Sequence, residues 1–156
     1  MARALGVRHY FTERVEGTMT LRRGLAQSKN MVSIRVLQAT GAKFAQDWVG
    51  KFGFDEDKHP AYLTMALGAG SVTPLQMASG YSVFANGGYR TTPWLITKIL
   101  DERGKVLVQT PDKVIDESSR AIDARNAFVM TSLLQEVTRS GTAAKARVLL
   151  KRDDIY

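Results

Sequence analysis

"LGAGSVTPLQMASGYSVFANGG", residues 67–88, carries the strongest local instruction in the chain. Thr73 is placed to cap a helix with its hydroxyl, and Pro74 falls at the first helical position, where a missing N–H costs nothing. Gln76, three residues after the cap, completes a capping box. Leu75, Ala78, Tyr81, Ser82 and Ala85 then share one face, and Asn86-Gly87-Gly88 stops the run. The pattern predicts a helix over 74–85. The preceding "GAGSVT" (68–73) approaches a G-x-G-x-x-G phosphate loop, but Thr73 stands at the last glycine and no strand pattern leads in. It reads as a turn feeding the capped helix.

Working toward the N-terminus, three more helical patterns appear. Phe44, Trp48 and Phe52 recur at i, i+4 over 42–52, and Gly53 ends the run. Met31, Ile34 and Leu37 form a stripe stopped by Gly41. Thr18 or Thr20 caps a shorter segment bearing Leu21 and Leu25. Toward the C-terminus the period changes: "WLITKILDERGKVLVQ" (94–109) reads as two short strands about a turn at Asp101–Gly104. A last helix starts near Asp123, offers Phe128, Leu134 and Val137 as core residues, and ends at Ser140-Gly141. The sum is an α+β chain, mostly helical, with one β-hairpin. Neither an internal repeat nor a low-complexity stretch interrupts it.

Composition narrows the function classes. The chain has 156 residues, is 44% hydrophobic, and carries 22 basic against 15 acidic residues for a net charge of +7. That length suffices for a real core. The excess charge is concentrated: residues 1–35 hold seven basic and two acidic side chains. A basic end of this kind suits phosphates or an anionic lipid surface. No aromatic-interleaved basic stripe or groove-reading motif accompanies it, so no nucleic-acid partner is expected. Cysteine is absent, which removes disulfides, thiolate catalysis and Cys-based metal sites. No run of about 18 apolar residues occurs, and the start "MARALGVRHYF" has too short an apolar stretch for a secretory signal.

Few residues are left to carry chemistry. His9 and His59 are isolated, lack H-E-x-x-H spacing, and have no G-x-S-x-G partner, so neither a zinc site nor a hydrolase triad is favoured. Ser28-Lys29-Asn30 is more informative. A serine hydroxyl beside a lysine amine can pass a proton, and an asparagine amide can hold a peptide carbonyl and N–H together. Taken in isolation, the triplet reads as a cap, with Ser28 or Asn30 opening the next helix.

The wider context is distinctive. "MTLRRGLAQSKNMVSIRVLQATG" (19–41), "FGF" (52–54) and "HPAYLTMALGAGSVTPLQMASGYSVFANGGYRTTPWLITKI" (59–99) together resemble the transpeptidase domain of class A penicillin-binding proteins, the bifunctional enzymes of bacterial cell-wall peptidoglycan synthesis. The resemblance runs from about Gly17 to Tyr156; residues 1–16 form an unmatched basic segment. In that family S-x-x-K supplies the acylated serine and its lysine, S-x-N a second serine and an asparagine, and K-[ST]-G a strand lining the cleft. Ser28 and Asn30 match S-x-N. The resemblance implies that Ser28 relays a proton to the departing amine and that Asn30 binds the amide of the stem peptide or of a β-lactam.

The other two motifs do not occur. No serine has lysine three residues on, and no lysine precedes Ser-Gly or Thr-Gly. By the family's order the nucleophile would fall before Met1, and "TRSGTAAKARVLLKRDDIY" (138–156) resembles the approach to K-T-G. The resemblance therefore implies a partial domain, 17–156, with the central sheet largely missing, apolar faces exposed, and no acyl-enzyme of its own. No cofactor or metal is expected. The implied partners are peptidoglycan stem peptides and β-lactams in an intact parent, held at the bacterial inner membrane by an anchor outside this chain, with a periplasmic catalytic domain and a glycosyltransferase activity elsewhere. Two other readings stand beside it: a non-catalytic binding module using residues 1–35, and, last, a hydrolase using His59.

Overall fold

The computed structural model describes residues 17–111, 116–152 and 154. His9 and the segment 1–16 lie outside the described residues. Thr20 caps α1 (Leu21–Ala26), its Oγ1 accepting from the Arg23 N–H at 3.2 Å. Next come α2 (Asn30–Thr40) and α3 (Ala42–Val49), separated by Gly41. The pattern over 42–52 splits: its last three residues, Gly50–Phe52, tighten into a 3₁₀ turn that ends at Gly53 with φ 88°. The long fourth helix, α4 (Pro74–Ala85), has the full capping box. The Thr73 hydroxyl accepts from Gln76 N–H at 3.2 Å, and Gln76 Oε1 accepts from Thr73 N–H at 2.9 Å. A 3₁₀ turn over Leu63–Leu67, not a strand, precedes the glycine-rich loop.

The hairpin is shorter than its apolar run. β1 (Lys98–Leu100) pairs antiparallel with β2 (Val106–Gln109) in the register Ile99↔Val108, with an irregularity after Ile99. Asp101 Oδ1 ties the turn by accepting from Arg103 and Lys105 N–H. Among the described residues this is the one sheet, and every strand residue is exposed. Two strands with both faces in water are at the limit of independent stability.

α5 (Ala124–Arg139), capped by Asp123, is the hub against which α1, α4 and the short α6 (Ala144–Leu150) pack. α2 packs on the 3₁₀ turn at 63–67. Among the described residues the buried apolar core is small: Ala26, Leu37, Val83, Ala121 and Ala127. Phe128, expected in the core, is 75% exposed, because Ala127 takes the inward position and one residue turns the helix by about 100°. Leu134 and Val137 are half-buried. On α4 the inward residues are Gly80 and Val83, while Leu75 and Tyr81, on the face identified above, are more than half exposed. Gly80 admits Phe54 so closely that a Cβ there would meet its Cζ at 2.6 Å.

A surface clamp joins the end of α4 to the segment before α5. Tyr89 and Arg120 form an antiparallel bridge, the Arg120 guanidinium lies 4.2 Å from the Tyr89 ring centroid, and it also donates to the Tyr89 hydroxyl. Glu117 accepts from Arg120 at 2.6 and 2.8 Å and from Tyr89 Oη at 2.8 Å. Arg120 first, then Tyr89, holds the Glu117 carboxyl down at about 2.

Candidate functional site

Ser28 sits in the link between α1 and α2, exposed, with φ 54°. The reason lies in how α1 ends. Ser28 N–H donates to Leu25 O at 3.0 Å, and Lys29 N–H reaches back to Gly24 O at 2.9 Å. These two bonds are the paired closure of a Schellman motif, whose left-handed position is usually glycine. Serine there costs about 1–2 kcal/mol relative to a right-handed conformation. Strain of this kind clusters at active sites and ligand clamps, and Lys151, at the end of α6, adopts it too with φ 50°.

This geometry rules out the cap reading. The N-cap of α2 is Lys29, whose side chain makes no capping bond, and Asn30 is the first helical residue. Neither the Ser28 hydroxyl nor the Asn30 amide is hydrogen-bonded to a described residue, so both remain available to a ligand. Asn30 is half-buried at the start of α2, where the first-turn N–H groups give a positive local field. A serine hydroxyl and an amide able to accept and donate thus flank Lys29 on one turn.

The link is anchored from 110 residues away. Arg22 donates through Nη1 to Ser132 O at 2.8 Å and through Nη2 to Ser132 Oγ at 3.1 Å, fixing α1 on α5. Where α5 turns into α6, Thr142 N–H donates to Ala26 O at 3.0 Å. Gly141 lies so close that a Cβ on it would stand 2.2 Å from the same carbonyl. The α5–α6 corner therefore clamps the last turn of α1, and through it Ser28. Sequence reading missed this clamp; the Ser140-Gly141 stop was its only trace.

His59 has a different role. Its carbonyl accepts from Gln46 Nε2 at 2.6 Å, its ring meets Phe54 edge-on at 5.6 Å, and its Nε2 is buried without a hydrogen-bond partner among the described residues. Among the described residues no serine hydroxyl or carboxylate hydrogen-bonds the ring, so they assemble no triad around it. Among the described residues, no three or more His, Asp or Glu side chains gather as a metal site, and no helix is long and apolar enough to cross a membrane.

The family described as "Penicillin binding protein transpeptidase domain" matches residues 4–153. Penicillin-binding protein 1A of Neisseria flavescens is 48% identical over 141 residues, covering 90% of this chain but 18% of that protein. The crystal structure of penicillin-binding protein 1A from Haemophilus influenzae superposes with a TM-score of 0.79 at 34% identity, covering 90% of this chain and 26% of that one. PBPA from Mycobacterium tuberculosis, at 22% identity, shares the fold with a TM-score of 0.68 over 81% of this chain and 32% of its own. The match over residues 4–153, nearly the whole chain, places this protein in the family of penicillin-binding protein transpeptidase domains.

Proposed function

We propose that residues 17–156 carry the S-x-N portion of a serine D,D-transpeptidase that cross-links peptidoglycan stem peptides through an acyl-enzyme and binds penicillin. In this reading Ser28 relays the proton toward the departing amine, and Asn30 holds the amide of the stem peptide or β-lactam. The observation that carries it is the left-handed Ser28 two residues before Asn30, with neither side chain hydrogen-bonded to a described residue. Because the relative is matched over 18% of its length, the whole protein's activity belongs to the longer chain in this proposal. The same holds for its glycosyltransferase partner activity, its membrane anchor and its periplasmic placement.

The chain alone lacks the attacking group. Its 156 residues contain neither S-x-x-K nor K-[ST]-G. Without the nucleophile no covalent intermediate forms, and losing such a residue alone costs about a millionfold in rate. Incubating the purified chain with a fluorescent penicillin and resolving it on a denaturing gel should therefore give no labelled band. A band that excess unlabelled penicillin removes would overturn this part of the reading.

A further inference from the structure

A groove of about 240 Å³ opens between the 3₁₀ turn ending at Phe52–Gly53, the first turns of α4, and the extended stretch Arg90–Pro93. Neither Ser28 nor Asn30 lines it. Its apolar wall is Phe52, Leu75 and Pro93, its polar wall includes Ser79 and Thr92, and no carboxylate is present. Arg90 stands at one side with its stem against Gly53, where a built Cβ would sit 3.5 Å from Arg90 Cδ. Its backbone N–H is satisfied by Ser119 O at 2.8 Å. The guanidinium makes no ion pair or hydrogen bond with a described residue. A planar five-donor group, exposed to solvent, thus stands beside an apolar wall with no described residue accepting from it.

We propose that this groove binds a peptide carboxylate flanked by an aliphatic side chain, with Arg90 taking the carboxylate. One cation matches a single negative charge, and the guanidinium fork fits the two oxygens of a carboxylate. Phosphate, carrying nearly two charges, would meet only one positive group here. The volume lies below the usual range of about 300–1,000 Å³ for drug-sized ligands, which restricts the occupant to a group the size of one amino-acid residue. Leu75 is 57% exposed and supplies the surface that an isobutyl or isopropyl group would cover.

The test is a titration of the isotope-labelled chain, followed by amide NMR shifts, with N-acetyl-L-leucine, N-acetyl-L-leucinamide and inorganic phosphate as probes. N-acetyl-L-leucine should move the amides of Gly53, Ser79 and Thr92 saturably, and the other two probes should not. R90Q should weaken the leucine probe by about tenfold, as loss of a charge-assisted pair implies. R103Q, on the hairpin turn, should leave it unchanged. S79L, which fills the groove but keeps the charge, should also abolish the shifts. Far-UV circular dichroism of each variant confirms that the fold persists. Equal affinity in R90Q, equal response to leucinamide, stronger response to phosphate, or no saturable shift at all would each overturn the proposal.

Discussion

At the scale of single residues, Ser28 shows how a motif and a conformation constrain each other. Its letter suggested a helix cap because serine hydroxyls usually serve N-termini. The outcome was decided one helix earlier, by the closure of α1 onto Gly24 and Leu25, which requires a left-handed residue at position 28. No local propensity of serine encodes that. S28G should raise the thermal stability by about 1 kcal/mol, since glycine occupies this region without a Cβ penalty. S28A, which keeps the strain and breaks no protein hydrogen bond, should change it by less than about 0.5 kcal/mol. Thermal unfolding of the three proteins separates the two effects, and destabilisation by S28G would show that the hydroxyl is structural. Glu117 offers a second residue-scale test. Its carboxyl is depressed from 4.5 to about 2, so its contribution is complete above pH 4.5 and is lost as pH falls toward 2. The unfolding midpoint should therefore drop more steeply across that window in the native chain than in E117Q. The effect will be modest, because the Glu117 side chain is 75% exposed.

At the scale of elements, what could be read from the sequence was what neighbours in the chain decide. The Thr73–Gln76 box, the Gly53 stop, the Asp123 start and the Asp101–Gly104 turn all depend on contacts within a few residues, and each formed as read. What failed depended on distant partners. The rotational phase of α5 is set by packing on α1 and α4, which turns Ala127 inward and leaves Phe128 out. α6 begins at Ala144 with no side-chain capping bond, so nothing in its letters announced it. The Gly141 contact was equally illegible, since it joins Ala26 to a residue over a hundred positions away. G141A should cost about 1–3 kcal/mol, because its methyl collides with backbone rather than with a movable side chain. T73A should cost about 1 kcal/mol through the lost cap. Chemical denaturation of both variants measures these values, and a neutral G141A would refute the clamp between the α5–α6 corner and α1.

At the scale of the molecule, the helices are in place while the surfaces they would cover are bare. Leu95 is 99% exposed, Val148 and Leu149 about three-quarters exposed, and the hairpin exposes apolar residues on both faces. Among the described residues the buried apolar core is five residues, thin for a domain of this size. Exposed contiguous apolar surface favours association. Sedimentation of the purified chain should show concentration-dependent self-association together with strong binding of an apolar dye. A monomer with a sharp, cooperative thermal transition would instead mark an independently stable domain.

The central claim, that Ser28 and Asn30 are working site residues, is tested most directly by acylation kinetics in a longer transpeptidase. Residues 17–152 would replace the corresponding segment of the Haemophilus influenzae relative, and the rate of labelling by a fluorescent penicillin would be measured for the chimera and for its S28A and N30A forms. Removing a positioned proton relay or an amide contact used in the transition state should slow acylation by about a hundredfold or more, with the fold unchanged. Labelling of both variants at the rate of the unmutated chimera would contradict the account.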